Sequence, residues 1–302
     1  MSPSRHLRLG TRGSALAQIQ ANLIAAALRR NGHEVNLVTV VTDGDVRPPD
    51  TAWGEGAFVG AIELALVEGR VDLAVHSAKD VPIVQAPGLT IAAYPDRADP
   101  RDALVLPAGR TMASLDDLPS GSVIGTDSPR RTGFILAARP DLRIVPIHGN
   151  VDVRLARLDA GEVDALILAV AGLARLGRPD RITLPLDPDV VPPAPGQGAL
   201  AIQVRAGDEA TRDAVAALDD AATRLAVSVE RALLEATGGG CRAPIGALVL
   251  ADGELLSLLA AAVEADGTNR RFISRVVHPD AGPPAAREMA AELRYHAPVM
   301  PG

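Results

Sequence analysis

Aromatic side chains and excess positive charge are both scarce in this sequence. Only 2% of its 302 residues are Phe, Trp or Tyr, so the core must be built from Leu, Val, Ile and Ala. The same scarcity argues against single-stranded nucleic-acid binding, which uses aromatic rings as stacking platforms. The net charge of −7 argues against a basic surface for nucleic acid or anionic lipid. We therefore expect no nucleic-acid and no membrane partner.

Cysteine and long apolar runs are scarce as well. The single cysteine, Cys241, excludes an intramolecular disulfide framework and favours a reducing compartment. Apolar runs are all shorter than the roughly 20 residues that cross a bilayer. Residues 1–6 lead into a strand-like segment without an apolar signal region. We therefore expect a cytoplasmic protein.

Lysine is nearly absent, whereas arginine is abundant. Lys79 is the single lysine among 30 basic residues. A nucleotide-composition bias accounts for the general excess of arginine. It does not account for the position of the one lysine, which lies in the densest polar motif of the chain.

The dominant pattern along the chain is the alternation of strands and helices, which is typical of βαβ units and a mostly parallel sheet. An apolar content of 47% with 22% charged residues indicates a folded globular protein, and the length fits two or three domains. The predicted strands cover residues 7–11, 35–42, 72–76, 89–94, 123–126, 143–147, 164–169, 199–205, 245–250 and 255–263. The predicted helices cover residues 14–30, 58–67, a segment through 138, 151–158, a segment near 175, 219–236 and 285–294.

Two strand-to-helix turns share a local form. Gly10-Thr11 and Gly125-Thr126 each end a predicted strand, and a polar cap residue then precedes a helix. Any βα turn favours Gly, Thr and Ser, but the match suggests two similar domains.

Arginines lie at several of these junctions. A helix N-terminus presents unpaired N–H groups and the positive end of the dipole, so it is a ready anion site. Guanidinium groups bind carboxylates in a bidentate manner. A solvated surface role is the alternative for any single arginine, but two adjacent cations at a helix start require an anion. The candidates are Arg12, Arg130, Arg131, Arg154 and Arg175.

The segment from residue 72 to residue 82 carries the most chemistry. An apolar strand ends in His76, Ser77, Lys79 and Asp80, and open α/β sheets place their sites at the carboxyl ends of strands. Asp80 could stabilise a cation or transfer a proton. The alternative is a Lys–Asp pair that caps a turn.

The one thiol lies on a glycine-rich loop. Three glycines, residues 238–240, precede Cys241, and Arg242 follows it. An inert buried cysteine is the usual case, but a thiol on such a loop beside an arginine fits a reactive nucleophile better. A partner His/Asp constellation, a phosphate loop, a dinucleotide fingerprint and metal-ligand spacing are all missing from the sequence.

Taken together, these segments resemble the porphobilinogen deaminase (hydroxymethylbilane synthase) family of tetrapyrrole biosynthesis. They occur in the family's order and cover nearly the whole chain. The matching segments are LGTRGS (9–14), TDGD (42–45), AVHSAKDVP (74–82), DPRDA (99–103), GTDSPRR (125–131), GNVDVR (149–154), AVAGL (169–173), PGQGA (195–199) and the Cys241 loop.

The resemblance implies an α/β protein of three domains. Two are similar to type II periplasmic binding protein domains, comprising residues 1–98 with 196–216, and residues 101–193. The third, residues 219–302, is a small α/β domain that carries the cofactor cysteine. The family is usually monomeric.

The resemblance also implies the chemistry. Cys241 matches the cysteine that forms a thioether to a dipyrromethane cofactor, and Asp80 matches the catalytic aspartate that stabilises the azafulvene cation left when ammonia departs. Four porphobilinogen molecules then add head to tail, and water releases the linear tetrapyrrole. The five arginines would bind the acetate and propionate groups. Further matches to cofactor or substrate contacts are Ser14, Lys79, Thr126, Ser128 and Gln197.

Two positions depart from the family pattern. His148 stands where many members have Arg before Gly-Asn, and Glu55 stands where many have a basic residue. Both remove positive charge, so we expect weaker binding of substrate or elongated intermediates rather than inactivity. A paralogue that keeps the fold without turnover is one alternative. The other is a solute-binding protein without chemistry, which has no use for Cys241.

Overall fold

The computed structural model describes residues 4–42, 59–240 and 242–295. Cys241 and Glu55, which carry two of the sequence-based predictions, lie outside the described residues. The chain divides into two compact units. The first unit comprises Met1–Ala98 and Gly198–Arg224, and the second comprises Asp99–Gln197 and Leu225–Gly302.

The secondary structure is an alternation of strands and helices, as predicted. The strands are β1 (His6–Thr11), β2 (Glu34–Thr39), β3 (Leu73–Ser77), β4 (Leu89–Ala93), β5 (Asp102–Val105), β6 (Val123–Gly125), β7 (Arg143–Val145), β8 (Ala165–Ala169), β9 (Leu184–Pro185), β10 (Leu200–Arg205), β11 (Ile245–Asp252), β12 (Leu255–Ala262) and β13 (Arg271–Val277). The helices are α1 (Ala15–Arg30), α2 (Gly60–Val67), α3 (Pro129–Ala138), α4 (Val151–Asp159), α5 (Val170–Arg175), α6 (Glu209–Ala216), α7 (Ala221–Ala236) and α8 (Gly282–Leu293). Among the described residues, none of the helices has the length and apolarity to span a membrane.

The first unit is built on a sheet with the order β2-β1-β3-β10-β4. Strand β1 is parallel to β2 and β3, whereas β10 is antiparallel to β3 and β4. Helix α1 covers one face with Ala21, Ile24, Ala25 and Leu28, which pack with Leu9 and its neighbours in the core. They occupy positions i, i+3, i+4 and i+7, which is the apolar stripe of an amphipathic helix.

The second unit repeats this plan. Its main sheet has the order β7-β6-β8-β5-β9, with β6 parallel to β7 and β8 and with β5 antiparallel to β8 and β9. Strand β6 therefore takes the place of β1, and β5 takes the place of β10. The Gly-Thr pairs at residues 10 and 125 end equivalent strands, which confirms the predicted repeat and the predicted fold class. The expectation of a mostly parallel sheet is wrong, because half of the strand pairs in each main sheet are antiparallel.

A three-stranded antiparallel sheet, β11-β12-β13, completes the second unit, and α8 packs against it. Phe272 of β13 meets Phe134 of α3 edge to face, with 5.8 Å between ring centroids. Gly133 permits this packing, since a Cβ there would lie 2.5 Å from the Glu264 carbonyl oxygen. The sequence-based division of this unit into residues 101–193 and 219–302 stays a prediction.

Four elements were not predicted from the sequence, including the two-residue strand β9. Strands β5 and β13 and helix α6 are all short or weakly patterned. Helix α6 begins at an Asp208 cap, whose carboxylate accepts a hydrogen bond from the Thr211 N–H at 3.0 Å. In β13 the exposed and half-buried residues do not alternate cleanly with polarity, so the period-2 signal is weak.

A series of hydrogen-bonded polar side chains connects β3, β10 and α2 in the first unit. The His76 Nε2 atom lies 3.1 Å from Gln203 Oε1, and the Gln203 amide donates to Glu63 Oε1 at 2.8 Å. Burial lowers the pKa of His76 to about 4, and the nearby Arg12 charge acts in the same direction. His76 is therefore neutral at pH 7.

We predict that this histidine makes the fold sensitive to acid. The pKa of His76 is about 4 in the folded chain and about 6.5 in an unfolded one. The unfolded state therefore takes up the proton first as the pH falls. The free energy of unfolding therefore keeps its full value, as far as His76 determines it, above pH 6.5. It falls progressively down to about pH 4, by about 3 kcal/mol in total.

Urea unfolding between pH 7 and pH 4 measures this loss. His76→Asn should flatten the pH dependence of the unfolding free energy, while the exposed His278→Asn should leave it unchanged. Equal slopes for wild type and His76→Asn would contradict the prediction.

Candidate active site

The first unit collects four of the predicted site residues at one edge of its sheet. Strands β1 and β3 are parallel neighbours, so their carboxyl ends meet at the same edge. The residues that follow these two ends are Arg12, Ser14, Lys79 and Asp80.

The turn from β1 into α1 is fixed by side-chain hydrogen bonds. Ser14 caps the helix and accepts from the Ala17 N–H at 3.4 Å, while the Thr11 hydroxyl donates to the Ala17 carbonyl at 3.1 Å. The Gln18 amide donates to the Arg12 carbonyl at 2.7 Å. Arg12 is thereby held at the positive end of α1, where an anion is stabilised.

The turn after β3 carries the lysine and the aspartate. It is a single 3-10 turn, Ala78–Asp80, and the Ala78 N–H donates to the Ala199 carbonyl at 3.0 Å. Lys79 and Asp80 are half-buried. A side chain on one anchored turn loses little freedom on binding, so this pair is suited to act on a ligand at the sheet edge.

The equivalent turn of the second unit lies between β6 and α3. Thr126 Oγ1 accepts from the Ser128 N–H at 3.3 Å, and Ser128 Oγ accepts from the Arg131 N–H at 3.4 Å. Pro129 occupies the first helical position, where the missing N–H costs nothing. The cap predicted from the sequence is therefore present at both junctions.

Arg130 and Arg131 do meet an anion, but it belongs to the protein. Asp102 of β5 is fully buried, with its two oxygens 2.8 Å from Arg130 Nη2 and 2.7 Å from Arg131 Nη2. Arg131 also donates to the Ile167 carbonyl at 2.9 Å, and Arg130 donates to the Pro192 carbonyl. One carboxylate thus faces two guanidinium groups, and a unit of positive charge remains.

Arg154 and Arg175 extend the positive region. Burial lowers the pKa of Arg154 to about 10, and repulsion from Arg131 adds to this, while Asp127 opposes it. Arg154 Nε donates to the Gly149 carbonyl at 2.8 Å. Burial also lowers the pKa of Arg175. A guanidinium with a pKa of about 10 stays charged at pH 7, so an anion that approached it would relieve the cost of its burial.

Gln197 is buried and braces the main chain. Its amide donates to the Pro100 carbonyl at 2.7 Å and to Asp102 Oδ1 at 2.9 Å. Both contacts hold the segments where the chain passes from one unit to the other. The contacts support a bracing role, and direct binding of a ligand by Gln197 stays a prediction.

Two acidic residues of this region, Asp102 and Asp127, were not among the predicted site residues. Asp102 was noted only as part of a motif, although a carboxylate at the start of an apolar strand is itself a signal. Asp127 Oδ2 lies 3.3 Å from His148 Nδ1 and 3.6 Å from Arg242 Nη1. Nothing in the sequence pattern joins these three positions.

The loop on either side of Cys241 is tightly folded. The Ala243 N–H donates to the Gly240 carbonyl at 3.0 Å, and the Thr237 hydroxyl accepts from the Gly239 N–H at 3.3 Å. A Cβ on Gly239 would lie 2.6 Å from the Ala243 Cβ, so this position requires glycine.

Family models and sequence relatives agree with these features. The model of "Porphobilinogen deaminase, dipyromethane cofactor binding domain" matches residues 7–213, and that of "Porphobilinogen deaminase, C-terminal domain" matches residues 224–292. The porphobilinogen deaminase of Acidothermus cellulolyticus is 48% identical over 294 residues, covering 95% of this chain and 88% of that protein. The Mycobacterium ulcerans porphobilinogen deaminase is 51% identical over 243 residues, covering 80% and 76%.

Among solved structures, the periplasmic aliphatic sulphonate binding protein of Escherichia coli covers 78% of this chain and 71% of its own, with 14% identity and a TM-score of 0.42. The two family models together span most of the chain, and the relatives align over most of its length at about half identity. The chain therefore belongs to the porphobilinogen deaminase family.

Proposed function

We propose that this chain is a transferase that joins four porphobilinogen molecules head to tail on a dipyrromethane cofactor and releases hydroxymethylbilane. One ammonia leaves at each joining. The observation that carries this proposal, within a chain of this family, is the positive region of the second unit. There Arg154 keeps a desolvated charge beside Arg131, as expected for a site whose ligands are rich in carboxylates.

The ligand chemistry matches this charge. Each pyrrole unit carries an acetate and a propionate, so each addition brings two negative charges. Asp102 neutralises one of the two cations formed by Arg130 and Arg131, and Arg154 and Arg175 add two more. Bidentate contacts from these arginines would orient the carboxylates and would offset the cost of their burial. Thr126 and Ser128 would contribute hydroxyls at the same turn.

The residues of the first unit would act on the reacting pyrrole. When ammonia leaves porphobilinogen, a cation delocalised over the pyrrole remains, and the Asp80 carboxylate would stabilise it electrostatically. The same carboxylate would accept the proton that the terminal ring carbon of the growing chain loses after it has formed the new bond. Lys79, Arg12 and Ser14 would bind the carboxylates of the ligand at this sheet edge.

Cys241 would hold the cofactor through a thioether. The loop beside it fits such a role, because Gly239 allows a close approach of the main chain to Ala243, and Arg242 follows Cys241 directly in the sequence. When bound, the dipyrromethane supplies the terminal pyrrole carbon to which the first porphobilinogen is joined. The arginines named above would hold its four carboxylates.

The proposal extends to the organisation of the protein. We expect three domains, residues 1–98 with 196–216, residues 101–193 and residues 219–302. We also expect a monomer that works in the cytoplasm on a small-molecule substrate. The small-molecule substrate follows from the family, whereas the domain limits, oligomeric state and compartment are expectations.

We predict that the purified chain carries a covalent pyrrole group on Cys241. Its intact mass should exceed the mass of the sequence by two linked pyrrole units, and it should give the colour reaction of pyrroles with an acidic aldehyde reagent. Cys241→Ser should show the bare mass and no colour. A bare wild-type mass that does not change on incubation with porphobilinogen would count against the whole proposal.

Asp80→Asn should lower kcat by a factor on the order of 10²–10³, because an amide cannot stabilise a developing cation as a carboxylate does. Porphobilinogen consumption measures kcat, and intact mass shows whether the cofactor is still attached. Asp213→Asn, an exposed aspartate on α6 of the same unit, is the matched control. Equal rates for Asp80→Asn and the control would remove Asp80 from the reaction.

Arg154→Gln should raise KM for porphobilinogen about 10- to 100-fold, since it removes a charge-assisted contact to a carboxylate. Arg157→Gln on the same helix is the control, because Arg157 pairs with Glu162 at 2.8 Å and is given no role in binding. Initial-rate kinetics at fixed ionic strength measure both variants. An unchanged KM for Arg154→Gln would contradict the assignment.

A further inference from the structure

A carboxylate lies within the positive region of the second unit, where the ligand is itself rich in carboxylates. Asp127 Oδ2 is 3.3 Å from His148 Nδ1 and 3.6 Å from Arg242 Nη1. Asp127 also opposes the lowering of the Arg154 pKa, so its charge reaches that guanidinium too. The Asp127 side chain is only 17% exposed. Two guanidinium groups, those of Arg242 and Arg154, therefore share one internal anion, and the His148 ring lies against the same carboxylate.

The turn that carries Asp127 already has its local hydrogen bonds from other side chains. Thr126 Oγ1 accepts from the Ser128 N–H, and Ser128 Oγ accepts from the Arg131 N–H. The helix start is capped by Ser128 rather than by Asp127. The Asp127 carboxylate is therefore directed to the cations across the turn and is not the cap of α3.

Asp127 is negatively charged, whereas the binding of a carboxylate-rich ligand requires positive charge. A second carboxylate brought close to the same cations is repelled by Asp127, and the repulsion is substantial at a few ångströms in a partly buried site. The Asp127–Arg242 contact is long and half-exposed on the arginine side, so a better-placed carboxylate can replace it at little cost.

We propose that Asp127 is an internal counter-ion for Arg242, displaced when a carboxylate of the pyrrole chain binds, and that it limits how tightly the second unit holds that chain. This inference rests on the proposed function and adds Asp127 and Arg242 to the residues that determine substrate affinity. A growing ligand gains two negative charges with each addition. An internal anion that competes at the same cations offsets part of that gain, so that the elongated chain can still be released.

Asp127→Asn tests this inference because it removes the charge and keeps the shape. We expect KM for porphobilinogen to fall about tenfold, while kcat stays equal or falls. Intact mass during turnover should show more protein with one to three extra pyrrole units. Asp180→Asn is the matched control, because that aspartate also pairs loosely with an arginine of the same unit (Arg178, 3.9 Å) but is 67% exposed.

A double-mutant cycle with Arg242→Gln separates competition from a general charge effect. Arg242→Gln alone should raise KM, and in its presence the gain from Asp127→Asn should shrink, because the contested cation is gone. Full retention of the gain would overturn the pairing of Asp127 with Arg242.

The remaining outcomes are distinct from failure of the proposed function. If the wild type turns over porphobilinogen but Asp127→Asn leaves KM unchanged or raises it, the inference is wrong and the proposed function stands. A lower melting temperature for Asp127→Asn with a raised KM would mean that Asp127 positions its neighbours rather than competing with the ligand. A wild type that neither gains pyrrole mass nor consumes porphobilinogen would overturn both.

Discussion

The second unit depends on the buried carboxylate of Asp102. Asp102 meets Arg130, Arg131 and Gln197 with its two oxygens, and none of these four side chains has much contact with water. A buried ion pair costs several kcal/mol in desolvation unless its geometry is good and its other hydrogen-bonding groups are met. Here one further nitrogen of each guanidinium donates to a carbonyl, that of Arg131 to Ile167 and that of Arg130 to Pro192. The group therefore joins β5, β8, α3 and the crossing segments, and it leaves an excess of positive charge.

Because of this excess positive charge, the arginines that stabilise the unit would also bind an anionic ligand. Two arginines with one aspartate give a rigid cationic base, and Arg154 and Arg175 extend the charge from neighbouring helices. Removing Asp102 would leave two cations buried together without a partner, which is far more costly than losing a surface pair. The same residues that would hold the ligand also hold the unit together, so a substitution at Arg130 or Arg131 affects stability and binding at once.

Local signals in the sequence were enough for most of the fold. Ser14 and Ser128 cap their helices as predicted, and the paired Gly-Thr turns correctly indicated two units of one plan. The antiparallel strands β5 and β10 were harder. Strand β10 was recognised as a strand but its direction was not, and β5 is a four-residue strand that lies next to a proline-rich turn. The direction of a strand depends on the point at which the chain re-enters the sheet, and no local sequence pattern determines that point.

The candidate site was predictable in its residues but not in their partners. The motifs gave Asp80, Lys79 and the arginines, because most of them lie at the end of a strand or in the first turn of a helix, while Arg175 ends a helix. The contacts that determine their electrostatics join residues far apart in sequence, such as Asp102 with Arg131 and Asp127 with Arg242. A pattern search over one window cannot find such pairs. The buried role of Gln197 was hidden for the same reason.

The position of β10 has a consequence for how the chain is made. Strand β10 lies between β3 and β4 in the first sheet, yet it leaves the ribosome only after the whole main sheet of the second unit. At typical rates of synthesis, the first unit must wait on the order of ten seconds with β3 unpaired on one side and β4 without its one neighbour in the sheet. Exposed strand edges invite wrong pairing. The N-terminal third of this protein is therefore exposed to wrong strand pairing during translation, even though it is the first part to be synthesised.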